Sequence, residues 1–574
     1  FFSYNKTVFG NIGFVQKFLN IKNNYSQWRR IMADILFAKK SINDLIAQTE
    51  EKGHKLKRVL SAFDLTLLGI GAIIGTGIFV LTGVAAAIHA GPAVVLSFVV
   101  SGLACAFAAL CYAEFSSMIP VAGSAYTYAY ATLGELFAWI IGWDLILEYA
   151  VGSITVSIGW SGYFVNLLSS IGIHIPQWAT QPPFNLPAAI IVFIMTVILV
   201  IGIRESARFN NAMVTVKLAV ILFFIFFGAF YVRPENWSPF IPFGWSGIMT
   251  GAAIVFFAYI GFDAVSTTAE EAKNPKRDLP IGIIASLLIC TVLYIIVSGI
   301  LTGIVPVGTV KDNNSFLSAP VAFALNYINQ GWASGIISIG AIMGITSVLL
   351  VMLMGQPRVF FAMSRDNLLP EKISTVHPKF GTPYITTIIT GVAVAIIAMM
   401  VPIGTAAELT NIGTLFAFAI VSTSVLILRR TQPDTPRPFK TPFVYIIAPL
   451  GVLSSLYLMY SLPVLTWIRF LVWLDLGLFI YYFYGRTHSR LTRKSDVKVD
   501  KSLKHFLSFF GTLAFFNGLI FGILSILTII GVTSEKTWEE VHFEPHHLLI
   551  TCAIIAGSGI ILYIISKLIK KNNT

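Results

Sequence analysis

Residues 69 to 79 read Gly-Ile-Gly-Ala-Ile-Ile-Gly-Thr-Gly-Ile-Phe, GIGAIIGTGIF, with four glycines in a run otherwise apolar enough to cross a bilayer. Glycine lowers helix stability by about 1 kcal/mol relative to alanine, so a membrane helix here is weakened at its middle. In lipid every backbone N–H and C=O must find a partner, and non-helical backbone persists only where it lines a protein-enclosed cavity. Gly75-Thr76-Gly77 therefore reads as a helix break that offers polar groups to a ligand. Gly71 and Gly75 also carry the small-xxx-small spacing of close helix packing, and the first span alone does not separate the two readings.

The rest of the chain places that stretch in a membrane. Its 574 residues are 56% hydrophobic, 13% aromatic and 11% charged, more apolar surface than water-soluble domains can hide. Windows of roughly 20 apolar residues fall near 63–89, 92–118, 133–170, 186–203, 210–231, 246–268, 280–305, 331–356, 383–402, 406–428, 443–464, 467–485, 505–531 and 547–567. The spacing predicts about fourteen helices, and the third is long enough to tilt or project beyond the bilayer. A β-barrel would show short alternating segments instead.

Positive charge sets the orientation, because cytoplasmic loops carry the Lys/Arg excess. With both termini inside, the inner segments hold Arg204 and Arg208, Lys273, Lys276 and Arg277, Arg358, Arg365, Lys372 and Lys379, and Arg429, Arg430, Arg437 and Lys440. The outer loops hold little more than Arg233, Lys311 and Lys536. The net charge of +12 is thus topology and not a nucleic-acid footprint. Residues 1–62 are polar and basic and lack an apolar signal core, which reads as a cytoplasmic arm; Met32 is an alternative internal start.

Other functions find little support. Cys105, Cys111, Cys290 and Cys552 lie in apolar spans, where a thiol acts as a small hydrophobe. No convergent catalytic set assembles, so the chain does not read as an enzyme, and no cofactor is implied. The densest histidine set, His542, Glu544, His546 and His547, lies on an outer loop and reads as solvated, with metal binding the minor alternative. The glycines of residues 69–77 mimic part of a dinucleotide fingerprint, but no strand-turn-helix context surrounds them.

A second interruption sits in the sixth span, FFAYIGFDAV from Phe256 to Val265, with Gly261 mid-span and Asp263 close behind. Paired breaks in corresponding spans point to a transporter of two inverted repeats with substrate at their interface. Freed N–H groups suit an anion and freed carbonyls a cation. An amino acid carries both on one carbon.

Four passages also carry a family resemblance: FDLTLLGIGAIIGTGIFVLTG from 63, CYAEFSSMIPVAGSAYTYAYATLGELFAWIIGWDLILEY from 111, VFFAYIGFDAVSTTAEEAKNPKRDLPIGI from 255 and GQPRVFFAMSRDNLLP from 355. The chain resembles the amino acid-polyamine-organocation superfamily over roughly residues 35–490, and is most similar to bacterial relatives of the cationic amino acid transporters. The resemblance implies an all-α membrane protein with a LeuT-type bundle of 5+5 inverted repeats, discontinuous helices 1 and 6, twelve core helices and about two more. The implied division is a 1–62 arm, repeats at 63–231 and 246–428, helices 11 and 12 at 443–485, a basic linker at 486–504, and two further helices with a basic tail at 505–574.

Residue by residue, the resemblance implies that backbone amides of Gly75, Thr76 and Gly77 hold a substrate carboxylate. Carbonyls of Ile73, Phe257, Ala258 and Ile260 would meet the amine, and Phe257 would close over the substrate from outside. Lys217, in NAMVTVKLAVILFF, is an intramembrane charge, functional by default; the resemblance puts it where sodium-coupled relatives bind sodium, with Thr346 and Ser347 as neighbours. A lysine near the span's end that snorkels to the interface is the competing reading. Glu148 and Met352 match positions lining the side-chain pocket, where a flexible thioether would favour small neutral amino acids. Asp144, one turn before Glu148, and Asp263 read as structural acids. The amphipathic segment 313–329 reads equally as an outer lid or an inert helix.

The expected protein is a sodium-independent proton symporter of L-amino acids in the cytoplasmic membrane, its partners the substrate, the proton and lipid. Obligate exchange and a non-transporting receptor or sensor are the alternatives.

Overall fold

The computed structural model describes residues 38–42, 45, 58, 60–121, 123–201, 206–269, 272–374, 377, 384–491, 503–529 and 545–568. Among them the chain is helical, with one isolated bridge between Leu60 and Ala272 and no strand. The long helices are α1 (Ala62–Ile73), α2 (Val94–Met118), α3 (Glu135–Ser170), α4 (Leu186–Ile201), α5 (Ser206–Ala229), α6 (Gly244–Val255) and α7 (Pro275–Ile304). They continue with α8 (Gly331–Arg365), α9 (Tyr384–Met400), α10 (Ile403–Thr431), α11 (Val444–Tyr460), α12 (Val464–Ile480), α13 (Leu503–Ile529) and α14 (Pro545–Leu568).

Each apolar window read from the sequence holds one of these helices, and the first and sixth windows run on past α1 and α6 across an interruption. Nine helical runs among the described residues are long and apolar enough to span a membrane. The first, Ala62–Met118, holds two of the expected spans, turned at Gly91, whose φ of +64° is a left-handed value that suits glycine. Four shorter apolar helices, Leu186–Val200, Tyr384–Met400, Val444–Tyr460 and Ala553–Ile565, fill the remaining windows. The start of α1 is set by a capping box: Ser61 Oγ accepts from Asp64 N–H, and the Asp64 carboxylate accepts from Ser61 N–H at 2.9 Å. The 36 residues of α3 reach about 54 Å at 1.5 Å each, well beyond a hydrocarbon core of about 30 Å.

Burial separates the centre from the rim. The apolar windows of α3 and of the run Gly244–Thr267 are each 83% buried inside the protein, whereas that of α13 is 11% buried. The central α3 packs on α8 and α10, α7 packs on α1 and α2, and α5 lies against α1 and α8. Helices α13 and α14 pack mainly on each other, backbone to backbone at Gly511 and Gly559, where a Cβ on Gly511 would lie 2.7 Å from the Gly559 carbonyl oxygen. They reach the bundle through Asn517 Nδ2, which donates to Asp475 Oδ2 on α12 at 2.8 Å, and through aromatic contacts of Phe506, Phe509 and Phe510 with Phe479, Tyr482 and Phe483.

Two buried acids tie distant segments together at the helix ends that the charge pattern assigns to the inside. Glu114 accepts two hydrogen bonds from Arg429, each 2.8 Å, and one from the Thr441 N–H, and it pairs with Arg437 at 3.3 Å. Asp366 pairs with the buried Lys40 and accepts from Tyr126 Oη at 2.6 Å, which pins residues 38–42 beneath the helix Ser124–Thr132. Burial pulls the Lys40 pKa below the ordinary lysine value, and the Asp366 carboxylate opposes that fall.

Removing one partner of a buried pair leaves the other desolvated and uncompensated. Glu114→Ala is expected to destabilise the purified protein by about 3 kcal/mol, near the low end for such pairs, because Arg429 keeps 19% exposure. Thermal unfolding in detergent reads the loss, and Glu114→Ala/Arg429→Ala should lose little more than the single variant.

Candidate functional site

The first span breaks where the glycines predict. Helix α1 ends at Ile73, Ile74 turns to extended backbone at φ −76° and ψ 104°, and helix resumes in the wider π form at Gly77–Leu81. The N–H groups of Gly75, Thr76 and Gly77 have no backbone partner among the described residues. The Thr76 hydroxyl is buried and likewise unpartnered there.

The sixth span breaks in the same manner. After α6 the chain makes one 3-10 turn, Phe256–Tyr259, extends at Ile260 and passes through Gly261 at φ +118°, a value L side chains rarely adopt. The short helix Ala264–Thr267 follows, and the buried Asp263 carboxylate faces the N–H groups of Gly261, Asp263 and Ala264. Asp263 occupies the N-cap position of that short helix without a side-chain cap hydrogen bond.

Glycine lets the two breaks touch. A Cβ on Gly77 would overlap the Ala258 Cα, and a Cβ on Gly261 would lie 2.9 Å from the Ala72 carbonyl. Tyr294 of α7 spans the junction: its hydroxyl lies 3.0 Å from the Ile73 carbonyl oxygen and 2.8 Å from that of Ala258, donating its one proton between them. Two of the four carbonyls expected to meet an amine are therefore already drawn to one point. The Phe257 carbonyl accepts from Ile260 N–H at 3.3 Å. Tyr294 is absent from the sequence reading because a tyrosine in an apolar run carries no signal of which distant carbonyls it meets.

Lys217 is fully buried, and its ammonium donates to the carbonyls of Gly71 at 2.8 Å and Ile74 at 2.9 Å. Those two oxygens would bond Gly75 and Ile78 in an unbroken helix, so the lysine answers carbonyls that the break sets free. Its burial excludes the snorkelling alternative. Neither expected α8 neighbour is hydrogen-bonded to it: Thr346 Oγ1 donates to Ile342 and accepts from Trp160, and Ser347 Oγ donates to Gly344. On α8, Gly344 lies beside Lys217: an added Cβ there would be 3.3 Å from Lys217 Cβ.

The remaining expected residues are buried on α3, on α8 and in the second break. Glu148 and Asp144 are buried on α3; both Asp144 oxygens and Glu148 Oε2 are unpartnered among the described residues. Met352 is buried on α8, and a Cβ on Gly152, one turn beyond Glu148, would lie 3.5 Å from its sulfur and 3.6 Å from Thr410. Phe257 is 5% exposed. The segment expected as a lid forms two short helices, Asn314–Ser318 and Pro320–Tyr327, with Pro320 against Gly83 of the first span. The His542, Glu544, His546 and His547 side chains, and that of Cys552, fall outside the described residues.

Two apolar spans broken at their centres and joined there fit a membrane permease. A model of the amino acid permease family matches residues 60–473, and the chain belongs to that family, a multi-pass membrane transporter and not an enzyme. It is 55% identical over 472 residues to the branched-chain amino acid permease BcaP of Bacillus subtilis (strain 168), covering 80% of this chain and 100% of that protein. It is 51% identical over 465 residues to the methylthioribose transporter of the same organism, covering 80% and 99%. The vacuolar cationic amino acid transporter 4 of Arabidopsis thaliana is 38% identical over 414 residues, 70% of this chain and 68% of that protein. The superfamily read from the motifs is the one the chain belongs to.

The contact between the breaks has a direct test. Gly77→Ala places a methyl on the Ala258 backbone, which has no flexible end to move, and is expected to abolish ligand binding, read by isothermal titration of the purified protein. Gly335→Ala on α8, where an added Cβ meets nothing within 4 Å, should bind normally.

Proposed function

We propose that the protein is a secondary active transporter of L-amino acids in the cytoplasmic membrane, driven by protons and independent of sodium, working by alternating access. The observation that carries this reading is the pair of contacting helix breaks with Lys217 bonded to the carbonyls of the first. The Lys217 ammonium is a titratable group held directly against the broken backbone. Loss of its proton leaves a neutral amine with two N–H donors and weakens the charge-assisted bonds to Gly71 and Ile74, which links protonation to the shape of the substrate site.

In this reading the helices form two inverted five-helix repeats, α1–α5 and α6–α10, with both termini cytoplasmic. The free N–H groups of Gly75, Thr76 and Gly77 hold the carboxylate. The carbonyls of Ile73, Phe257, Ala258 and Ile260 hold the amine, with Tyr294 shared between two of them. Phe257 closes the outer side, while Glu148 and Met352 line the side-chain end. Thr346 and Ser347 remain candidate neighbours of Lys217 on α8, which also carries Gly344 beside it. The thioether against Gly152 and the likeness to a branched-chain permease favour small and branched apolar side chains over arginine.

Uptake into sodium-free liposomes tests the reading, with labelled leucine, alanine, arginine and methylthioribose offered in parallel. Leucine and alanine should accumulate only under an inward proton gradient. Entry only by exchange against preloaded amino acid would make the protein an exchanger, and accumulation of methylthioribose alone would move the substrate class. Lys217→Met is expected to abolish gradient-driven accumulation. Tyr294→Phe, which keeps the ring and loses one hydrogen bond, should weaken leucine binding about five- to tenfold, in line with the roughly 1 kcal/mol of such a bond.

A further inference from the structure

A second polar site lies away from the breaks, toward the end of the bundle that the charge pattern assigns to the outside. A cavity of about 60 Å³ separates the outer half of the first span from α10 and is lined by Leu81, Val84, His89, Ile254, Glu408 and Asn411, among others. At about 30 Å³ per water molecule, it has room for about two. Water stays in such a space only where polar groups hold it, and three converge here. His89 ends the π-helical turn Ala85–Ala90, Glu408 lies in the second turn of α10, and Asn411 lies one turn deeper.

Asn411 supplies the observation that points to an occupant. Its side chain is fully buried, and its Nδ2 donates to the Ala253 carbonyl oxygen at 2.7 Å, while its Oδ1 has no hydrogen-bond partner among the described residues. A buried amide oxygen left without a donor costs about 1–3 kcal/mol, and a donor inside the cavity removes that cost. The titratable groups lining the cavity are His89 from the first span and Glu408 from α10. From α12, Thr466 adds a hydroxyl that donates to Glu408 Oε2 at 2.9 Å. The lining from α6 is the apolar Ile254.

We propose that this cavity is a second proton-binding site, in which His89 and Glu408 share a proton across ordered water anchored by Asn411 Oδ1. With the imidazole charged, the pair draws the outer half of the first span to α10. Asn411 carries the effect inward, because the carbonyls it holds lie immediately before the 3-10 turn at Phe256–Tyr259. Outside pH thereby acts on the outer closure of both broken spans, separately from any proton carried at Lys217.

The test needs no substrate, so it stands or falls apart from the transport reading. Thermal unfolding of the purified full chain is compared for the native protein, His89→Gln, Glu408→Gln and the double variant between pH 5.5 and 8. A charged imidazole stabilises the pair, so the contribution is fully present below the ordinary imidazole value near 6.5 and is lost at higher pH. Each single variant should melt several degrees below the native protein at pH 5.5 and level with it at pH 8, and the double variant should lose no more than either single one. A deficit equal at both pH values, or single losses that add in the double variant, overturns the proposal. Glu408→Gln gives the same reading independently if His89→Gln does not fold.

Discussion

A helix interrupted in lipid leaves carbonyls that water cannot reach, and the Lys217 ammonium binds two of them. Without that donor, the carbonyls of Gly71 and Ile74 would sit unsatisfied beside an apolar α5. Without those carbonyls, an ammonium at this depth would be unsolvated. Each half of the contact makes the other tolerable, so the break in the first span and the buried lysine form one structural unit.

The neighbouring helices are shaped to keep that unit closed. Gly75 brings the break within reach of Val348 on α8, and a Cβ there would lie 2.7 Å from the valine. On α3, Gly159 gives room to the Thr76 side chain, and on α8, Gly344 gives room to Lys217. Tyr294 then ties the first break to the second through one hydroxyl. Small residues work here in a way specific to a site made of main chain: they let backbone approach backbone, while the polar work passes to a few side chains arriving from other helices.

Polar groups elsewhere follow the same rule of convergence from distant segments. Glu114 joins α2 to α10 and to Thr441, and Asp366 joins the end of α8 to Lys40 and Tyr126. Such contacts hold the helix ends in register, where loops alone would leave them free. Helix α13, outside the matched family region of residues 60–473, joins the bundle through the Asn517–Asp475 hydrogen bond and an aromatic cluster around Tyr482.

Much of this was legible in the chain alone. Hydropathy marks the spans because a bilayer demands about 20 apolar residues from each, and glycine marks both breaks because only weak helix survives opening there. Lys217 stood out because a charge at membrane depth is costly. Tyr294, Asn411 and Gly159 were not legible, since their meaning lies in partners from 36 to more than 150 positions away along the chain. The expected company of Lys217 shows the limit most clearly. Thr346 and Ser347 had the right chemistry on the right helix, yet their hydroxyls donate back to the carbonyls of Ile342 and Gly344 within α8. Composition and local propensity decide which segments enter the membrane and where they yield; which polar groups then meet depends on how helices far apart in sequence rotate and pack.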